Sequence, residues 1–320
     1  MNLRASISPI LLILFCASNT RADSPSSAGA AGAAMRLGFA ARGMGLGNAM
    51  TAVLSGELAG YYNPAATSFE STPTVSAAYS FLSLDRRLNF VSYTRHLKPI
   101  AGLSLWAINA GVGSIEGRDR DGRLVDTYST SENQFGLSFG LNPYSQFSFG
   151  VTAKILYYHL FDKINSSTVS IDLGVVYRLS DQLTAAVVVQ DIGSKYKWDT
   201  NRLYGKLGNV TIDEFPLRTR IGLSYQESTL GLLFSGEFEQ IGSDNYVRCG
   251  IEYFLMDAFQ VRAGIDQISP AQRVDARPSV GLSFVGNLAS NWKPVFHYAY
   301  VFEPYSPGGI HVLSLSVRFE

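Results

Sequence analysis

From residue 73 almost to the C-terminus, apolar and polar side chains alternate with a period of two, in segments of about ten residues separated by turn chemistry. A period of two sends successive side chains to opposite faces of a strand, so each segment has one oily face and one polar face. Val169, Ile171, Leu173, Val175 and Tyr177 form one such face, and Ser170, Asp172, Gly174 and Arg178 belong to the other. The pattern recurs in Phe135-Leu137-Phe139-Leu141, Leu217-Thr219-Ile221-Leu223, Phe259-Val261-Ala263-Ile265 and Leu313-Leu315-Val317-Phe319. Segments begin near residues 73, 87, 100, 131, 146, 167, 182, 215, 229, 245, 258, 277, 292 and 308. After residue 22 no stretch offers the roughly 18 uninterrupted apolar residues that a spanning helix needs. A membrane crossing by this chain must therefore use strands, and the sheet must close, because an open edge leaves N–H and C=O groups unpaired in hydrocarbon. The expected fold is all-β: an antiparallel transmembrane barrel of about fourteen strands over residues 73–320. Soluble sandwiches and barrels also alternate, so periodicity needs support from the rest of the chain.

That support begins at the N-terminus. Arg4 precedes an apolar run over residues 10–17, and Thr20-Arg21-Ala22 has the small residues that a signal peptidase reads, which predicts a cleaved signal peptide over 1–22 and export from the cytoplasm. Cys16 would suit a lipoprotein, but the bulky Phe15 before it does not. Once Cys16 is removed only Cys249 remains, so no intramolecular disulfide can form. Residues 23–34 are rich in Ser, Gly and Ala and read as a flexible leader. Residues 35–72 are Gly- and Ala-rich and do not alternate, which marks them as a small plug with short helices rather than wall. The 26 basic and 26 acidic side chains balance, so neither a nucleic-acid partner nor a polybasic membrane-surface role is expected.

Connections and charges refine the barrel. Residues 97–100, 142–145, 179–182, 227–228 and 256–258 read as tight turns, expected on the periplasmic side, whereas 114–130 and 190–214 read as long outer loops. Charges that point into the barrel should find partners on adjacent strands. A two-residue turn at Glu227-Ser228 sets Arg218 opposite Glu237. A three-residue loop at Met256-Asp257-Ala258 sets Arg262 opposite Glu252, Asp266 opposite Arg248, Tyr253 opposite Val261 and Leu255 opposite Phe259. The facing of residues 88–97 stays open, because their alternation is mixed. Aromatics near strand ends, among them Tyr79, Phe81, Tyr157, Tyr177, Trp292 and Phe296, suit interfacial girdles.

No chemistry-bearing constellation competes with this reading. Gly136-Leu137-Ser138-Phe139-Gly140 fits G-x-S-x-G, but it lies inside an alternating strand and not at a strand-to-helix elbow. His96, His159, His297 and His311 lack metal-ligand spacing. Gly43-x-Gly45-x-Gly47 follows a leader rather than a strand, unlike a dinucleotide fingerprint. Asp119-Arg120-Asp121-Gly122 with Asp126 could recruit calcium, but the interleaved arginines oppose it. No enzyme activity, metal or cofactor is expected.

Leu37-Gly38-Phe39-Ala40-Ala41-Arg42-Gly43-Met44-Gly45-Leu46-Gly47-Asn48-Ala49, followed by Tyr62-Asn63-Pro64-Ala65-Ala66, resembles the N-terminal signature of the PorV/PorQ family of FadL-like outer-membrane barrels. Ile310-His311-Val312-Leu313-Ser314-Leu315-Ser316-Val317-Arg318-Phe319 is similar to their closing strand, and its terminal aromatic resembles the signal read by the barrel-assembly machinery, although Glu320 follows it. The resemblance implies an outer-membrane barrel in contact with outer-membrane lipid, with a hatch in its mouth. The hatch motif would comprise Arg42, Gly43, Gly45, Gly47, Asn63, Pro64 and Ala65. Two functions follow: passage of a hydrophobic solute across the outer membrane, which is preferred, or service in type IX secretion with cargo or attachment complexes as partners. Candidate solute-lining residues are Trp106, Ile108, Leu156 and Tyr158.

Overall fold

A computed structural model of the chain describes residues 29–256, 258–269, 276–286, 292–304, 306 and 308–319; the expected signal peptide and the first part of the leader lie outside them. The wall begins with β1 (Thr74–Phe81), β2 (Arg86–Leu97), β3 (Ala101–Arg118), β4 (Leu124–Tyr144), β5 (Phe147–Phe161), β6 (Ile164–Arg178) and β7 (Leu183–Ile192). A short hairpin of β8 (Lys195–Asp199) and β9 (Val210–Glu214) stands apart from it. The wall resumes with β10 (Arg218–Glu227), β11 (Leu232–Ile241), β12 (Asp244–Met256), β13 (Phe259–Ile268), β14 (Arg277–Val285), β15 (Trp292–Val301) and β16 (Ile310–Phe319). These fourteen strands form one closed antiparallel barrel, sealed where β1 pairs with β16 from Thr74↔Arg318 to Phe81↔His311. Closure leaves no unpaired edge.

The two faces of the wall differ in the sense expected of a barrel in lipid. Val169, Ile171, Leu173, Val175 and Tyr177 point outward on β6, with Val169 70% exposed, while Ser170 and Asp172 are buried inside. Leu105, Phe135, Leu137, Phe149, Phe238 and Phe284 are likewise outward. In β2 the inward side chains are Leu88, Phe90, Ser92 and Thr94. The alternation there is mixed because the upper part of the inner face packs on apolar plug residues and not on polar ones.

Three expectations about connections change. Residues 114–130 are not a loop: β3 and β4 run on past a bulge and pair Ile115 with Tyr128 and Arg118 with Leu124. Residues 190–214 hold the β8–β9 hairpin, with Tyr196 buried against Phe215. The β10–β11 turn is longer than Glu227-Ser228, because Glu227 pairs with Leu232 and Gly231 takes a φ of 63°, a left-handed conformation natural to glycine. Arg218 therefore lies opposite Ile241 and not opposite Glu237. The slip is even, so every side chain keeps its face and only the charge partners change. In the next hairpin Glu252 does face Arg262 and Tyr253 faces Val261, while a bulge puts Met256, in place of Leu255, opposite Phe259.

The plug fills the lumen. It comprises a 3-10 turn at Ala34–Arg36, α1 (Ala41–Gly45), α2 (Ala59–Tyr62) and a 3-10 turn at Pro64–Phe69. The described end of the leader is tied down: Ala31 is buried beside Tyr196 and Phe215, and its carbonyl accepts from Arg36 Nη1 at 2.6 Å. That is a departure from a structureless leader.

Candidate functional site

The Asn63-Pro64-Ala65 segment is the most firmly seated part of the plug. Asn63 accepts from Ala65 N at 3.0 Å and donates to Thr51 O at 2.9 Å, and Pro64 supplies the fixed φ that starts the 3-10 turn. On the wall, Gly102 faces Gly140, Gly140 faces Gly150 and Gly150 faces Gly174, one unbroken row across β3 to β6. A Cβ at Gly102 would lie 1.9 Å from Thr67 O, and one at Gly150 would lie 2.4 Å from Ala65 N. The plug backbone thus rests directly on the wall, a fit that only this row of missing side chains permits. Gly47 makes the equivalent contact with β13: its φ is 62°, and a Cβ there would lie 2.6 Å from Ile265 N. Gly43 leaves room for the Tyr62 hydroxyl and Gly45 for the Arg262 side chain.

Opposite the glycine row, the inner wall is ionic. Arg42 of α1 grips Glu252 of β12 with two hydrogen bonds, Nε at 3.0 Å and Nη2 at 2.8 Å, and Arg262 donates to the same carboxylate at 3.1 Å. Arg218 pairs with Glu239 at 2.8 Å. Glu237 is met by Arg248 at 3.0 Å and accepts from Thr51 N at 3.1 Å. Arg248 also touches Glu239 and Asp266, and Asp266 accepts from Arg277 at 2.7 Å and from Asn48 at 2.9 Å. Arg220, Glu239, Arg277 and the Lys154–Asp172–Asp191 cluster of β5 to β7 are network members the sequence reading did not single out. Their inward parity in the alternation was the available signal.

A second plug-to-wall contact was also not anticipated. Glu57 accepts from Ser314 Oγ at 2.9 Å and lies 2.8 Å from His297 Nε2. Burial alone would raise the Glu57 carboxyl, but His297, Ser314 and Arg262 outweigh it and hold the group below its ordinary range. For Arg42, burial opposes the charge and Glu252 more than restores it. Burial pushes the Glu70 carboxyl up, against the bond it accepts from Gly56 N. Burial likewise raises the Tyr62 hydroxyl, which stays protonated and donates to Asn48 Oδ1 at 2.7 Å.

Two cavities flank the plug. The mouth cavity, of 290 Å³, lies at the end bearing the β1–β2 and β3–β4 connections and is lined by Leu37, Leu82, Leu88, Ala110, Val112 and Tyr158, with Arg86, Arg87 and Glu132 at its edge. Leu88 and Ala110 continue into a packed aromatic floor of Phe39, Tyr61, Phe90 and Trp106, in which Tyr61 meets Phe39 edge-on at 5.0 Å and Trp106 at 5.5 Å. The second cavity, of 280 Å³, lies at the opposite, short-turn end and is the more polar of the two, with Arg178, Gln182, Gln226 and His297 in its lining beside Leu54, Leu233 and Phe254. Of the four solute-lining candidates, Tyr158 borders the mouth cavity, Trp106 and Ile108 form its aromatic and apolar floor, and Leu156 packs under Tyr196 instead. Ser138 is mid-strand and bonded to Gly60 O, Trp106 and Thr152, and Asp119 Oδ1 accepts two backbone amides of its own turn.

No protein-family profile and no curated protein matches the chain. Solved structures do. The toluene transporter TbuX of Ralstonia pickettii aligns with a TM-score of 0.64 at 12% identity, over 89% of this chain and 100% of that one. The two chains share one fold. The toluene transporter TodX of Pseudomonas putida agrees, at 0.62 and 11% over 88% of this chain and 96% of that one. So does a FadL homologue of Pseudomonas aeruginosa, at 0.57 and 11% over 88% of this chain and 98% of its own.

Proposed function

We propose that this chain is an outer-membrane channel that admits a hydrophobic small molecule at the mouth cavity and releases it past a movable plug. The observation that carries the reading is the mouth cavity itself: a largely apolar recess at the outer end of the barrel, above an aromatic floor, in a lumen whose wall is ionic along β10 to β14. A barrel with its apolar side chains outside and its charges inside suits lipid, and short turns together with both ends of the wall lie on what would be the periplasmic side. The fold shared with hydrocarbon transporters supports the same solute class. Uptake follows if the aromatic floor yields, because the mouth and short-turn cavities lie on opposite sides of the plug.

The test is uptake of a labelled monoaromatic hydrocarbon and a labelled long-chain fatty acid by a Gram-negative host lacking its own carrier. The expected result is uptake of at least one solute that depends on this chain and falls about tenfold in Leu88→Arg, which sets a charge into the cavity wall. Uptake of both solutes equal to that of the empty host overturns the reading.

A second reading, service in type IX secretion as the PorV/PorQ resemblance implies, draws on the outer hairpin region, where Leu207 is 92% exposed beside an exposed Tyr204. It expects secretion components or cargo to co-purify with the chain. Intact surface secretion in a deletion strain, with no such partner, counts against it.

A further inference from the structure

From residue 38 to residue 68 every residue of the plug is buried except Leu54, Ser55 and Gly56. These three, with Val53 and Glu57, border the 280 Å³ polar cavity at the short-turn end. Both flanks of this span are seated backbone against backbone. Downstream, Pro64 to Thr67 rest on the glycine row of β3 to β6. Upstream, Leu46 and Gly47 rest on Gly250 and Gly264, where a Cβ would lie 2.5 Å from Leu46 O and 2.2 Å from Gly47 N. Residues 54–57 have no such seat. Among the described residues their bonds run through side chains: Arg42 Nη1 to Ser55 O, Gly56 N to Glu70 at 3.3 Å, and Glu57 to Ser314 and His297.

We propose that residues 54–57 are the moving gate of the plug: they swing into the polar cavity while the two glycine-seated flanks stay in place. The Arg42 bond to Ser55 O and the Glu57 contacts with Ser314 and His297 are the latches. Side-chain bonds can be exchanged there for bonds to water and to the cavity's Arg178, Gln182 and Gln226, whereas moving a seated backbone would strip packed contacts with nothing to replace them. What crosses the gate rests on the transport reading; the motion itself does not.

Hydrogen exchange on the full mature chain in detergent micelles measures the motion without any solute. Amides of 54–57 are expected to exchange at least about a hundredfold faster than those of 65–69, and Glu57→Gln to speed the first group about tenfold further while leaving the second unchanged. In a Cys249→Ser background, a disulfide between Glu57→Cys and Ser314→Cys slows exchange at 54–57, whereas one between Ser68→Cys and Ser148→Cys does not; the parent hydroxyls of the second pair are 2.8 Å apart. Equal rates in the two groups, or Glu57→Gln speeding both alike, overturns the gate. Should a cysteine pair not fold, the wild-type comparison alone decides. Absent uptake with this exchange pattern intact would overturn the transport reading and leave the gate standing.

Discussion

Glu252 holds two buried arginines at once, Arg42 from the plug and Arg262 from β13. Removing it leaves both guanidiniums without their carboxylate, so Glu252→Ala is expected to cost about 3–5 kcal/mol in urea unfolding of the refolded barrel, read by its gel-mobility shift. A cost under about 1 kcal/mol would mean that water already reaches the pair. Glu57 gives a pH signature. Its carboxyl is depressed in the folded state, so the stability it contributes is fully present above the ordinary glutamate value of about 4.3 and is lost as pH falls through the lower folded value. Wild type should therefore exceed Glu57→Gln by about 1–3 kcal/mol at pH 6, and the two should converge as pH falls through the lowered folded value. Of these residues hairpin register marked Glu252 and Arg262, because inward parity brings charges on adjacent strands together, and Arg42 was marked only as part of the hatch-motif resemblance. It could not mark Glu57, which belongs to no periodic segment and meets His297 and Ser314 across 240 and 257 positions of chain respectively.

Strands were more legible than turns. Parity along β6 or β10 depends only on adjacent residues, so the outward faces follow directly from the sequence, whereas the β10–β11 register depended on a four-residue turn at 228–231 ending in a left-handed Gly231. That turn is why Arg218 takes Glu239 and not Glu237. The β3–β4 extension escaped notice because residues 112–130 carry mixed polar side chains where the strands rise above the apolar belt, and a strand outside lipid need not alternate. The glycine row was visible only as scattered glycines; their alignment needs the registers of four strands. Gly150→Val on that row is expected to drive the Ala65 backbone off the wall at a cost of about 3 kcal/mol or more, and to raise ion conductance in planar bilayers as the plug unseats. Conductance equal to wild type, with unchanged stability, would show the row to be slack.

As a whole the molecule is a closed wall with an inverted polarity and a plug that completes its interior. A long outward row of apolar side chains covers the wall, and the interior joins serines, threonines and paired charges to apolar clusters packed between plug and wall, such as Phe39, Phe90 and Trp106. Such an interior is stable only while occupied, because the wall charges are satisfied in part by Arg42, Asn48 and Thr51 of the plug. The barrel itself was legible from period and length; the solute was not, since wall strands look alike whatever passes between them. On the proposed transport reading, the apolar recess above a floor of aromatic rings selects a hydrophobic solute, and a plug seated at two places and latched at a third lets it pass. Uptake in the Cys249→Ser host protein carrying Glu57→Cys and Ser314→Cys brings these together in one measurement. With the disulfide reduced, uptake of the labelled hydrocarbon should equal or exceed that of the parent, since the Glu57 latch is gone, and with it formed, uptake should drop about tenfold below the reduced form. Equal uptake in the two redox states, at the level of the empty host, would contradict a gated hydrophobic channel.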